Sequence, residues 1–276
     1  MTRDIDLLTS PALTHLRDRW WDAAFTAFVR DTLQPQPGER VLEVGCGAGI
    51  AGLMLDRPVR YFGIDVDRAR LHQARSAAHD RELALGLAAA DARRLPFAGA
   101  AFDATFAVGV LQHVPQAARA IEEIARVTRP DGRVLLVEPD NAHRYWFSSV
   151  ESGMHAFDLS RRFFAAHARE TGDGLDRALG PHLPSLCRVS GIDAIGIHLF
   201  PVAVTRLGAP VPTVWQARRG AITRSLDEVA TEASRALGRD LLEAIDRYAD
   251  EGSAAGAAFT EIQHTMLFAI VGHRRP

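Results

Sequence analysis

Lysine is absent from the 276 residues, so all 32 basic side chains are arginines. That excludes any Schiff base or lysine nucleophile supplied by the protein. Cysteine is scarce: Cys46 and Cys187 stand alone and far apart, which excludes a disulfide framework and points to a reducing cytoplasm. No window approaches the length of a membrane-spanning helix, and Met1–Asp6 lacks the apolar core of a signal peptide. Neither sign of charge is in surplus. A net charge of −2 gives no general pull toward nucleic acid or an acidic membrane. Metal-ligand spacings such as H-E-x-x-H or C-x-x-C do not occur, so no metal is expected.

What is present is the composition of an ordinary globular protein, 47% hydrophobic and 24% charged, long enough for one large domain or a domain with a subdomain. The apolar run Val41–Val44 carries one acid, Glu43, and ends in the alternating glycines Gly45, Gly47 and Gly49; residues 50–55 can start a helix. Strand, glycine turn and helix in that order make a nucleotide cradle, because glycines let backbone amides approach a ligand and a helix N-terminus favours negative charge. Gly47, Gly49 and Gly52 also fit the dinucleotide pattern G-x-G-x-x-G, so the cradle alone is ambiguous.

The chain that follows alternates strands with helices. Arg60–Asp65 reads as a second strand, with Asp67 as N-cap of a helix Arg68–His79. Leu83–Ala89 is a third run, followed by Asp91. Phe102–Val108 is a fourth strand, Gln116–Arg129 a helix closed by Pro130-Asp131-Gly132, and Arg133–Glu138 a fifth strand. This spacing means βαβ units and a parallel sheet, with ligands beyond the C-terminal strand ends. Gly45, Asp65, Asp91, Gly109 and Glu138 all fall there. A helix between Leu13 and Leu33, containing Trp20 and Trp21, precedes this core, and Pro35 and Pro37 break it. Two later strands, Ala194–Val204 and Thr265–Gly272, flank the helical stretch Pro212–Gln263. The expected organisation is a helical segment 1–39, a core of 40–141, 185–206 and 264–276, and two helical insertions, 142–184 and 207–263, read as a lid over the ligand.

The series Val41–Gly49, Gly63–Asp67, Ala90–Phe97, Phe102–Val114 and Pro130–Pro139 resembles the class I S-adenosylmethionine-dependent methyltransferases, in particular the small-molecule group that includes ubiquinone- and menaquinone-pathway enzymes. Five ordered motifs run across residues 41–139, over a third of the chain. The resemblance implies a Rossmann-like α/β fold, with a mostly parallel seven-stranded sheet, helices on both faces and a reversed last strand. It implies S-adenosylmethionine as cofactor and S-adenosylhomocysteine as product. By the same resemblance Gly45, Gly47 and Gly49 line the methionine and ribose part, Val108 and Gly109 contact the methionine end, and Glu43 reaches the amino group. Asp65 takes the ribose hydroxyls, Asp91 with the backbone of Ala92 addresses the adenine, and Ile64, Val66 and Leu95 form apolar walls. The dinucleotide pattern accounts for Asp65 but not for Glu43 or Asp91.

Methyl transfer from a sulfonium needs alignment above all, with a general base where the acceptor is a hydroxyl, phenol or acidic carbon. His113, His143 and Tyr145 are the candidate catalytic residues, His113 being four positions after Gly109. Cys46 reads as a small buried filler. The exit of the fourth strand lacks the Asn/Asp-Pro-Pro-aromatic motif of nucleic-acid amino-methylating enzymes, so a small-molecule acceptor is expected and no nucleic acid. Aromatic residues such as Phe147, Phe157 and Trp215, with Arg161, Arg162, Arg218 and Arg219, suit an apolar or aromatic acceptor of some anionic character; helix packing with solvated arginines reads equally well. A use of the bound cofactor for a non-methylating step such as cyclisation stays open, as does the minor reading of a nucleic-acid methyltransferase, and the oligomeric state is not read from the chain.

Overall fold

The structure, a computed structural model, describes residues 21–49, 59–79, 86–172, 175–176 and 178–276. Trp20, the expected helix start over 50–55 with Gly52, and residues 83–85 lie outside the described residues. The described residues form two compact units: a core unit within residues 21–140, Leu175–Phe200 and Leu267–Pro276, and a second unit within residues 141–172 and Pro201–Met266.

In the core unit, α1 (Ala23–Leu33) starts where the Asp22 carboxylate accepts the Phe25 N–H at 2.8 Å and buries Phe25, Val29 and Leu33 on one stripe. It stops at Gln34, in a left-handed conformation, just before Pro35. Five strands follow in sequence: β1 (Arg40–Val44), β2 (Arg60–Asp65), β3 (Gly86–Ala89), β4 (Phe102–Val108) and β5 (Thr128–Pro139). β1, β2, β3 and β4 pair in parallel, as do β4 and β5, in the order β3-β2-β1-β4-β5. Val41, Leu42 and Val44 are all fully buried, the near-continuous apolar run that a parallel strand covered on both faces requires. The order changes direction between β1 and β4, the point at which such sheets open a crevice beyond their C-terminal ends.

Helix α2 (Arg68–His79) is capped by Asp67, whose Oδ1 accepts from Ala69 at 2.8 Å and Arg70 at 3.3 Å. Helix α3 (Ala117–Val127) buries Ala120, Ile121, Ile124 and Val127 against the sheet and ends two residues before the expected Arg129. The Thr128 hydroxyl, bound to the Ile124 carbonyl and to Thr105, turns the chain straight into β5. Pro130–Gly132 then form a bulge in that strand, the register shifting between Phe102↔Thr128 and Ala104↔Arg133.

The last strand, β8 (Thr260–Arg274), runs antiparallel to β5 from Arg133↔His273 to Pro139↔Leu267, so the reversed final strand is present. β7 (Ile192–Leu207) pairs with β8. Between Leu175 and β7 lies α5 (Leu179–Val189), whose Leu179, Leu183 and Cys187, spaced by four, enter the core cluster. The expected insertion 142–184 therefore ends earlier: its last ten residues belong to the core unit. Burial pushes the Cys187 thiol up to about 12, which leaves it an inert filler.

The second unit holds β6 (Tyr145–Ser148), α4 (Glu151–Thr171), α6 (Pro212–Glu228) and α7 (Glu232–Ala255). β6 pairs antiparallel with the start of β8, Tyr145↔His264 to Ser148↔Glu261. With it the described residues form eight strands rather than seven. Its buried Trp146 and Ser148 alternate with exposed Tyr145 and Phe147, a period of two too short to stand out beside a helical run. Inside this unit Glu261 is fully buried and takes Arg218 on both oxygens (2.8 and 2.9 Å), Arg206 (3.1 Å), Tyr248 (2.7 Å) and Gln263 (2.6 Å). The Arg218 guanidinium lies over the Trp215 ring, 4.7 Å from its centroid. Arg161 and Arg162 pair with Asp158 on the surface, and Arg219 with Asp246. Of the two readings of these arginines and aromatics, the packing one describes Arg218, Phe157, Phe163 and Trp215. No described helix is long and apolar enough to cross a membrane.

Candidate ligand site at the strand ends

The C-terminal ends of β1, β2, β4 and β5 gather the sequence-predicted residues of the core unit. The turn after β1 has Gly45, Gly47 and Gly49 at φ of +73°, +54° and +77°, conformations that side chains resist. Gly45 has a second constraint, since a Cβ there would run into the Val110 side chain. The turn is tied to β2: the Gly45 and Cys46 N–H groups donate to the Ile64 carbonyl at 2.7 and 2.9 Å. Cys46 is buried and packs where a Cβ on Gly63 would sit, in keeping with a filler.

Asp65 closes β2 at 9% exposure. Its Oδ2 accepts the Gly47 N–H at 2.8 Å and its Oδ1 the Asp67 N–H at 2.9 Å. The carboxylate thus fixes the glycine turn and keeps a second lone pair on each oxygen, enough to accept a pair of vicinal hydroxyls. Val66, the next residue, is 72% exposed, an apolar surface beside that acid. Ile64, Ala92 and Leu95 are buried beneath, in the core cluster.

Asp91 sits in the turn after β3, its carboxylate held by Arg93. The Arg93 backbone N–H (2.8 Å) and Nε (3.1 Å) reach Oδ1, and Nε (3.1 Å) and Nη2 (2.7 Å) reach Oδ2. The guanidinium bonds hold the Asp91 carboxyl below its ordinary value and raise Arg93 in turn. Glu43 is fully buried inside β1 and accepts the Tyr61 hydroxyl.

Beyond β4, Gly109 (φ +63°) donates to the Val137 carbonyl at 2.8 Å and opens a 3₁₀ turn over Leu111–His113. Val108 is buried. His113 ends that turn, exposed, its N–H on the Val110 carbonyl at 2.9 Å. Glu138, fully buried at the end of β5, accepts the N–H groups of Val110 (2.8 Å), Leu111 (2.7 Å) and Gln112 (3.3 Å). The sequence marked Glu138 only as a strand end; its partners lie 26 to 28 positions away, so no local pattern announces them. His143 and Tyr145 fall in the second unit. His143 is exposed, and the Tyr145 ring stacks on His264 at 4.8 Å and 17°. Among the described residues no group of three or more His, Cys, Asp or Glu is placed to hold a metal.

A protein-family model described as "Methyltransferase domain" matches residues 42–136, from β1 to the middle of β5. A demethylmenaquinone methyltransferase of Beutenbergia cavernae is 35% identical over 132 residues, 48% of this chain and 52% of that protein. An O-methyltransferase of Pyrenophora dematioidea is 34% identical over 117 residues, 41% of this chain and 44% of that protein. The chain therefore spans about half the length of these curated relatives. Among solved structures the [4+2]-cyclase SpnF superposes with a TM-score of 0.53 at 21% identity, over 92% of this chain and 81% of that one, a likeness of fold.

Proposed function

We propose, from the premise that residues 42–136 are a methyltransferase domain, that this chain binds S-adenosylmethionine and transfers its methyl group to a small-molecule acceptor. The observation that carries the reading is Asp65, a buried carboxylate that organises the glycine turn through Gly47 and retains one acceptor position per oxygen. Those positions suit the two ribose hydroxyls of an adenosyl group. Exposed Val66 beside them suits a face of the adenine ring, and Asp91 with the Ala92 backbone its exocyclic amino group. The turn Gly45–Gly49, with Val108 and Gly109, would hold the methionine part, and Glu43 its amino group.

When bound, the cofactor supplies an activated methyl group on a positively charged sulfur. The protein's task is to orient it, exclude water and align the acceptor for in-line attack. His113, exposed at the end of the turn beyond Gly109, is the candidate base for an acceptor proton. Isothermal calorimetry tests the premise: S-adenosylmethionine and S-adenosylhomocysteine should bind, and NAD should not bind comparably. Asp65→Ala should weaken both by well over ten-fold, since buried ribose hydroxyls would lose their acceptor. Preference for NAD would overturn the reading. A chain that used the same pocket for cyclisation would bind both nucleosides and release no S-adenosylhomocysteine, so product release with candidate acceptors separates the two activities.

A further inference from the structure

We infer that Glu138 is a positioning residue for methyl transfer: it sets the methionine half of the cofactor crevice through the turn Gly109–His113. The inference rests on the methyltransferase reading above. Three consecutive backbone N–H groups, of Val110, Leu111 and Gln112, converge on one fully buried carboxylate. Three donors on an ionised acceptor form a charge-assisted set, stronger than ordinary turn hydrogen bonds. They fix the turn more firmly than its own 3₁₀ bonds would, which in so short an element are poor in geometry.

Glu138 is itself held from two directions. Its backbone pairs with Phe268 of β8, and the α5 helix lies so close that a Cβ on Gly180 would come within 2.8 Å of the Glu138 carbonyl oxygen. The consequence of a fixed turn reaches across the crevice. Val110, the first residue held by Glu138, occupies the space that a side chain at position 45 would need. The end of β5 therefore sets the distance between the β4 exit and the glycine turn after β1. Those two turns are the walls assigned to the methionine moiety. The ribose and adenine side, built on Asp65, Val66 and Asp91, stands on β2 and the turn after β3.

Glu138→Gln tests this assignment. The amide oxygen can still accept from Val110 and Leu111, but the amide nitrogen would face the Gln112 N–H, donor against donor. Glu138→Asp keeps the charge and withdraws it by one carbon. Two ligands read the two halves of the crevice: S-adenosylhomocysteine spans both, and 5′-methylthioadenosine lacks the amino-acid part. Both variants should weaken S-adenosylhomocysteine about ten-fold while 5′-methylthioadenosine changes by less than about two-fold. Hydrogen exchange should show the Gln112 amide losing protection in Glu138→Gln while β1 and β2 keep theirs. Equal weakening of both ligands, in step with a lowered Tm, would make Glu138 a purely structural residue and overturn the inference, as would unchanged affinity for both or failure of both variants to fold. Wild-type protein that binds neither ligand would instead remove the methyltransferase reading itself.

Discussion

Arg93 and Asp91 are two positions apart, and on the cofactor reading proposed above their contact would set the affinity of the adenine side of the crevice. Arg93 supplies four hydrogen bonds to the two Asp91 oxygens, so an adenine amino group could reach that carboxylate only by displacing some of them. Both side chains are about two-fifths exposed, so the pair is solvent-screened and exchangeable rather than locked. Arg93→Ala should therefore tighten S-adenosylhomocysteine by roughly two- to five-fold in calorimetry at low salt, with the difference shrinking as salt screens the wild-type pair. Weaker binding would mean that Arg93 orients Asp91 for the ligand. His113→Ala should lower kcat by about two to four orders of magnitude with S-adenosylhomocysteine affinity intact, if an acceptor proton passes to its ring. The wild-type rate should then fall toward acid pH as the imidazole takes up a proton, and that limb should vanish in the variant. A limb that survives would clear His113 and turn attention to His143 and Tyr145. At this scale the glycines and Asp65 were legible, because a positive φ and an acid at a strand end leave a mark on the local sequence. Glu138 and the Tyr61–Glu43 pair were not, because their partners are distant in sequence and are brought together only by the sheet.

Helices of the second unit are joined by an acid. Glu170, in the last turn of α4, accepts the hydroxyls of Thr231 and Ser234, both at 2.5 Å, and the N–H groups of Ala230 (2.7 Å) and Thr231 (3.1 Å). Thr231 is the N-cap of α7, so one carboxylate ties the end of α4 to the start of α7. The hydroxyls of Ser234 and Thr231, followed by the backbone donors, lower its pKa from an ordinary 4.5 to about 2. A pKa depressed by folding stabilises at pH values above the unfolded value, and the contribution disappears as pH falls through the folded one. Glu170→Gln should thus lower Tm at pH 7, and the gap to wild type should close between pH 4.5 and about 2. A gap that persists at pH 2 would assign the effect to packing. The alternation of β1 to β5 could be read from the sequence, and the two insertions were expected to be helical, but α4, α6 and α7 were not distinguished as separate helices. The short β6 and the true end of the insertion could not be read. Four alternating residues carry little signal, and α5 is claimed for the core by Leu179, Leu183 and Cys187, whose apolar spacing would serve either unit equally well.

Across the whole molecule, the second unit has its own polar centre at Glu261. Arg218→Met removes a fully buried partner and leaves the acid with less compensation, so the second unit should lose about 3–5 kcal/mol in chemical denaturation. Adding Glu261→Gln should recover part of that, because the uncompensated charge goes with it. No recovery would locate the loss in the packing of Arg218 on Trp215. If the insertions act as the proposed lid, replacing 142–172 and 207–259 by the corresponding segments of a relative should change which acceptor turns over while S-adenosylhomocysteine affinity stays. Loss of both would show that these segments support the core.

The pairing of β5 with β8 has a consequence in time. β5 ends at Pro139 and the strand that covers its edge begins at Thr260, about 120 residues later. At the ribosome's pace of roughly 5–20 residues per second, that edge waits roughly 6–24 s for its partner. During the wait the nascent sheet presents unpaired backbone groups flanked by the apolar Leu135, Leu136 and Val137, an invitation to pair with a neighbouring chain. Nascent chains arrested before Thr260 should associate with holdase chaperones or aggregate, and chains arrested after Arg274 has cleared the exit tunnel should not. Slower translation across the intervening helices would lengthen the exposure and lower the soluble yield without altering a single contact of the finished protein.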